Sequence, residues 1–184
     1  NPKQEEFEVC LDQLIKDFSE NQEVLLFKLE RVYGDSAINF ANNIISQSKN
    51  KPGFWDDKRL SLFYSKLAQS YYYSDETNLS IKYAHKSQQL NDTLDLSTLL
   101  ANNYLENNKT DLAESVLLAK LDTTESSWIL KNKADLLLKV GNAKKALDLY
   151  NIVMKDSSIW IDEEMVADIL LKNSMPDKAR TFYI

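Results

Sequence analysis

Glycine and proline are scarce, with three of each among 184 residues. An all-β chain needs frequent tight turns built from such residues, so the scarcity argues against that architecture. A lone cysteine, Cys10, excludes an internal disulfide. That fits a reducing compartment such as the cytoplasm without fixing the compartment, because exported proteins also dispense with disulfides. No apolar run approaches the ~18 residues of a membrane span. A basic excess is missing too: 22 Lys and Arg face 28 Asp and Glu, for a net charge of −6. Without a basic run the chain has no footprint for a phosphate backbone, and nucleic acid is not an expected partner. There is no signal peptide, and the chain starts at Asn1, which reads as a processed protein or a cut piece.

The residues that carry chemistry are equally thin. His85 is the only histidine, and general acid–base work needs an oriented partner that its neighbours Ala84 and Lys86 do not supply. Cys10 falls on the apolar side of a helical pattern, which predicts a buried structural thiol rather than a nucleophile. Asp56/Asp57 and Glu163/Glu164 have no His or Cys at ligand spacing, so no metal is expected. Gly34, Gly53 and Gly141 lie too far apart to form a phosphate cradle. The reading is a non-enzyme without a cofactor.

What the chain does have is a period. Ser80, Ala113, Ala146 and Ala179 are spaced by 33 residues, as are Ala68, Ala101, Ala134 and Ala167. A third phase holds Tyr71, Tyr104, Leu137 and Leu170. Small, small and large residues kept in phase over four cycles signal stacked supersecondary units. Each cycle opens on a helical stretch, such as "FYSKLAQSYYY" or "ILKNKADLLLKVG", with apolar residues at i, i+3, i+4 and i+7. A polar break follows ("SDETN", "NNKT", "GNAK", "SMPD"), then a second helix such as "LSIKYAHKSQQL" or "KALDLYNIVM". Thr110, Asn142 and Ser174 sit where an N-cap is wanted, and Pro176 suits a first helical turn.

This spacing resembles the tetratricopeptide repeat (TPR), with small residues at the helix crossing and large ones beside them. The first copy shows it as Tyr64, Leu67, Ala68, Tyr71, Ser80, Tyr83 and Ala84, and the third as Leu130, Ala134, Leu137, Gly141, Ala146, Leu147 and Tyr150. In the fourth copy Val166, Ala167, Leu170, Ala179 and Tyr183 match. Departures include Ser97, Glu163 and a lysine, Lys133, where the family has a core leucine. The resemblance implies an all-α fold, a right-handed superhelical solenoid of antiparallel hairpins. Its four TPR-like hairpins would occupy 60–184, the last incomplete, continuing a divergent N-terminal part (1–59) as a single solenoid.

In that part, "FEVCLDQLIKDF" reads as an amphipathic helix with Phe7, Cys10, Leu11, Leu14 and Phe18 on one face. "EVLLFKLERVYGDSAINFANNIISQS" reads as a further hairpin with Ala37 near the small position, and "SKNKPGFWDDKR" as a loop. Within the loop Phe54 and Trp55 are expected to tuck in as a plug rather than stand free as a contact point, because exposed aromatic pairs are costly on a surface.

Members of the resembling family bind along a concave surface lined by the first helix of each hairpin. Carried over, that surface would include Ser65, Gln69, Tyr72, Thr98, Asn102, Trp128, Lys131, Asn132, Asp135, Glu164 and Asp168. Gln69, Tyr72, Asn102, Trp128, Lys131, Asn132, Asp135 and Asp168 are the candidate partner-binding residues. Amides offer both donor and acceptor to the backbone of an extended peptide. The lysine and arginine clamp by which some family members hold a terminal carboxylate is not formed, because Ser65, Leu99 and Asn132 occupy those places. The implied function is a scaffold for a protein or peptide partner. The alternative is a sensory or regulatory part of a larger signalling or transcription-control protein. Phe182 and Tyr183, at the end of the sequence, would need cover, which suggests self-association through the C-terminal end.

Overall fold

The computed structural model describes residues 2–122, 125–172 and 174–182, and no described residue lies in a β-strand. Helices follow one another as α1 (Pro2–Asp17), α2 (Gln22–Leu29), α3 (Gly34–Ser48), α4 (Asp57–Tyr73), α5 (Thr77–Leu90) and α6 (Ser97–Glu106). Beyond them come α7 (Thr110–Ala119), α8 (Ser127–Lys139), α9 (Ala143–Val153), α10 (Glu163–Lys172) and α11 (Pro176–Ala179), continued by a 3₁₀ turn at Arg180–Phe182. The chain forms two compact units, Asn1–Leu99 and Leu100–Ile184, whose boundary falls inside α6.

The expected period recurs as geometry. Ser80, Ala113, Ala146 and Ala179 are fully buried, and so are Ala68, Ala101, Ala134 and Ala167. Tyr71, Tyr104, Leu137 and Leu170 are buried beside them. Small side chains at these places let two helices approach closely, and in the α4–α5 hairpin a hydrogen bond measures that approach. The Ser80 hydroxyl donates across to the carbonyl of Ala68 at 2.8 Å. Toward the other end of the same hairpin, Ser61 and Ser87 each donate to the other's backbone carbonyl, at 2.9 and 2.8 Å. No bulkier residue could sit there without pushing the helices apart.

The turns repeat as well. Backbone N–H groups of Glu76, Lys109, Asn142 and Met175 reach back to the carbonyls of Tyr71, Tyr104, Leu137 and Leu170 at 2.8–2.9 Å. Between them Asp75, Asn108, Gly141 and Ser174 all adopt positive φ, from 56° to 87°. This is the left-handed helix stop in which the second residue past the cap closes on the last turn. Only the third copy uses glycine. Aspartate and asparagine tolerate the conformation through their short polar side chains, whereas serine has less to offset it. Asn142 caps α9 as expected, accepting from the Lys145 amide at 3.1 Å, and Pro176 begins α11. Thr110 and Ser174 are not caps: Thr110 is already the first residue of α7, and Ser174 is the left-handed residue itself.

In the first unit, Leu25, Leu26 and Leu29 of α2 and Ala37, Ala41 and Ile44 of α3 pack with Phe63, Leu67 and Tyr71 of α4. The 49–56 loop folds Phe54 and Trp55 onto that core, half-buried, with the Trp55 ring 4.9 Å from Phe63. Gln22 donates to the Phe54 carbonyl, and Asp56 caps α4 through the Arg59 amide at 2.9 Å. The pair is a plug. In α1 the expected apolar face is covered only at Leu11, while Phe7, Leu14, Phe18 and Cys10 are exposed. Cys10 is therefore not a buried structural thiol. The helix rests on α2, with Leu11 buried and an Asp12–Lys28 ion pair at 2.8 Å, and this footing leaves the neighbouring cysteine uncovered.

In the second unit α8 packs on α9, and α10 packs on α11 and the 3₁₀ turn. Phe182 lies in this packing, only 3% exposed. Its burial removes the expected need for outside cover there; Tyr183, the other half of that expectation, lies outside the described residues.

Gly141 supplies a direct test of the turn. A Cβ built on it would meet nothing within 4 Å, so any cost of substitution comes from its φ of 87° alone. Gly141→Ala is expected to lower stability by ~1–2 kcal/mol, with Gly141→Asn losing less. Ser174→Gly should raise stability by ~0.5–1 kcal/mol. Urea unfolding midpoints check all three.

Candidate functional site

Trp128, Lys131, Asn132 and Asp135 recur at i, i+3, i+4 and i+7 along α8 and so share one face of that helix. Trp128 is 64% exposed, while Lys131, Asn132 and Asp135 are half-buried. One turn of the helix is electrostatically tied. Lys131 Nζ donates to Asp135 Oδ2 at 2.8 Å. The other carboxylate oxygen accepts from the hydroxyl of Tyr150 on α9 at 2.5 Å.

Tyr150 is fully buried, and burial first, then the bond to Asp135, pushes its phenol well above the ordinary tyrosine range. The hydroxyl therefore remains a donor at every neutral pH. Asp135, expected to be a solvent-facing contact residue, is instead the acceptor for a buried tyrosine. Trp128 and Asn132 carry no such structural duty in the described contacts.

The other candidates sit apart. Asn102 is half-buried on α6 and Asp168 is exposed on α10; both are in the second unit, and both have partners within the chain. Gln69 and Tyr72 lie on α4 in the first unit, half-buried, with the Tyr72 ring 5.5 Å from that of Tyr73. Ser65, expected on the same exposed face, is buried and donates to the Leu62 carbonyl at 2.8 Å. Its hydroxyl is short enough to satisfy itself within the helix, so the position can turn inward.

Two features escape the sequence pattern. Lys133, the lysine at a leucine position, is fully buried, and its ammonium reaches the Lys120 carbonyl at 2.6 Å and Glu125 Oε2 at 2.7 Å. The aliphatic stem fills the leucine's place while the head clamps the segment leading into α8. Removing the ammonium would leave Lys120 O and Glu125 short of a donor in a partly buried place.

The second feature is the 154–162 segment between α9 and α10. Asp156 accepts from the Ser158 hydroxyl at 2.6 Å, from the Ser158 amide at 3.1 Å, and from Ser127 at the start of α8. Those bonds, the Ser158 hydroxyl foremost, hold its carboxyl below the usual range. They fasten the segment beside Trp128 and leave Trp160 75% exposed. A single Trp between Ile residues has no periodic partner in the sequence that would flag it.

Among the described residues no group of three His, Cys, Asp or Glu could hold a metal, and no helix is long and apolar enough to cross a membrane. His85 is exposed on α5.

The double role of Asp135 can be measured. Asp135→Ala should destabilise by ~1–3 kcal/mol because the buried Tyr150 hydroxyl loses its acceptor. Asn132→Ala should stay within ~0.5 kcal/mol of the parent. Chemical unfolding of the two variants decides between a structural and a free surface residue at each place.

No protein-family model matches the chain, and no curated protein matches it in sequence. Among solved structures it is similar to YrrB, a TPR protein described as having an unusual peptide-binding site. The TM-score is 0.63 at 13% identity, over 94% of this chain and 88% of that one. The likeness shows that the chain has the TPR fold.

Proposed function

We propose that this chain is a non-catalytic interaction module that binds a peptide or an extended segment of a partner protein. The contact surface we assign is the α8 face, with Trp128 as anchor, Asn132 as the backbone-reading amide and Lys131 beside it; Asn102 and Asp168 extend it on the flanking first helices. The observation that carries the reading is Trp128. A large aromatic ring left 64% exposed on a helix, next to a half-buried amide, is the composition of a binding hot spot. The likeness to a peptide-binding TPR protein supports the same class of ligand. Asp135 belongs to the surface as the group that fixes Lys131, and its removal would disturb folding and binding together.

A random peptide library displayed on phage and panned against the chain tests this. Enriched peptides, synthesised singly, should bind Trp128→Ala and Asn132→Ala at least ~10-fold more weakly, each change costing ~1.4 kcal/mol or more, with unchanged melting temperatures. Peptides that bind both variants as well as they bind the parent would remove the assignment.

A further inference from the structure

The second helices of the first unit's hairpins carry one carboxylate between them, Asp35 in the first turn of α3. From Ser36 to Trp55, and again from Thr77 to Asn91, there is no Asp or Glu, in a chain whose net charge is −6. The outward positions of α3 carry amides instead, Asn42, Asn43 and Gln47 among them. Those of α5 carry Lys82 and, at its flank, Lys86.

Between the two helices runs a continuous set of tyrosine contacts. Asn42 on α3 donates to the Tyr71 hydroxyl at 3.3 Å. The Tyr71 ring stacks on that of Tyr83, with centroids 5.4 Å apart and planes 9° from parallel. Tyr83 in turn lies 5.7 Å from Tyr64. Over these rings sit the two ammonium groups: Lys86 Nζ is 5.3 Å from the Tyr64 centroid and 5.1 Å from that of Tyr83, and Lys82 Nζ is 5.9 Å from Tyr83.

A ring face attracts an ammonium without neutralising it. Among the described residues neither lysine has a carboxylate partner. The rings thus narrow the rotamers of two cations that keep their whole charge, which lowers the entropy lost when an anion arrives. We propose that this strip, Lys82 and Lys86 above Tyr64 and Tyr83 with Asn42 of α3 at Tyr71, docks an acidic peptide segment of a partner protein. The lysines meet its carboxylates, and the exposed Asn42 amide, donating to Tyr71, keeps its oxygen as an acceptor for a backbone N–H. A nucleic acid fits less well. Two lysines release few counter-ions, and the Tyr83 ring on which a base would stack already lies against Tyr71 and beneath Lys82 and Lys86. The strip lies in the first unit, and its assignment does not depend on the α8 face.

Fluorescence anisotropy with labelled deca-glutamate tests the assignment, with a ten-residue oligo-dT as the competing polyanion. Deca-glutamate should bind the full chain, and Lys82→Gln/Lys86→Gln should weaken it about tenfold with an unchanged melt. The control Lys144→Gln/Lys145→Gln, on exposed lysines of α9, should leave binding as it was. No binding at up to ~1 mM peptide, or equal losses in the two double variants, would overturn the site. Tighter binding of oligo-dT than of deca-glutamate would overturn the peptide as its ligand.

Discussion

Close approach of two antiparallel helices at a pair of small residues is the constraint on which the rest of the structure depends. In the α4–α5 hairpin a serine hydroxyl spans the gap to the opposite backbone at 2.8 Å, and alanines hold the equivalent places in the later hairpins. Once the helices are that close, the large residues three positions on, Tyr71, Tyr104, Leu137 and Leu170, are buried as a consequence. The chain must then reverse within a few residues, which accounts for the left-handed stop at Asp75, Asn108, Gly141 and Ser174. One spacing thereby fixes core, crossing and turn together.

Much of this was legible because burial acts on side-chain size, and size is written in the sequence. The alanine and serine phases were readable, and so was the Phe54–Trp55 plug. The turns were readable only in part. Backbone φ is set by the hydrogen bond from Glu76 to Tyr71 and its counterparts, so a left-handed residue need not be glycine, and three of the four are not. The errors share a cause. Cys10 was placed by helical phase, Ser65 by the surface carried over from the resembling family and Phe182 by its place at the end of the sequence, and none of these says how much neighbouring surface covers a residue. Leu11 alone of its face is covered, Ser65 turns inward because its hydroxyl is met locally, and Phe182 finds α10. Lys133 shows the converse: its departure from the pattern was visible, but its clamp on Lys120 and Glu125 depends on a tertiary contact.

The candidate site carries the same tension between holding the fold and meeting a partner. On α8 the polar residues are not equivalent. Asp135 spends both oxygens within the chain, on Tyr150 and Lys131, so that end of the face is rigid. Trp128, one helical turn before Asn132, is left exposed and is the anchor we propose. A rigid frame with one exposed anchor loses little freedom on binding. In the first unit the same economy appears in another chemistry, with tyrosine rings holding two lysines in place of a carboxylate. Polar side chains that look alike in the sequence thus divide into those used up by the fold and those left exposed.

The central claim is that the small pair sets the helix separation, and the urea unfolding midpoint of Ala134→Leu tests it most directly. Ala134 is fully buried on α8, whereas Ala119 is exposed at the end of α7 and serves as the control. The account predicts a loss of ~1–3 kcal/mol for Ala134→Leu by overpacking, and a change within ~0.5 kcal/mol for Ala119→Leu. An unchanged midpoint for Ala134→Leu would contradict it.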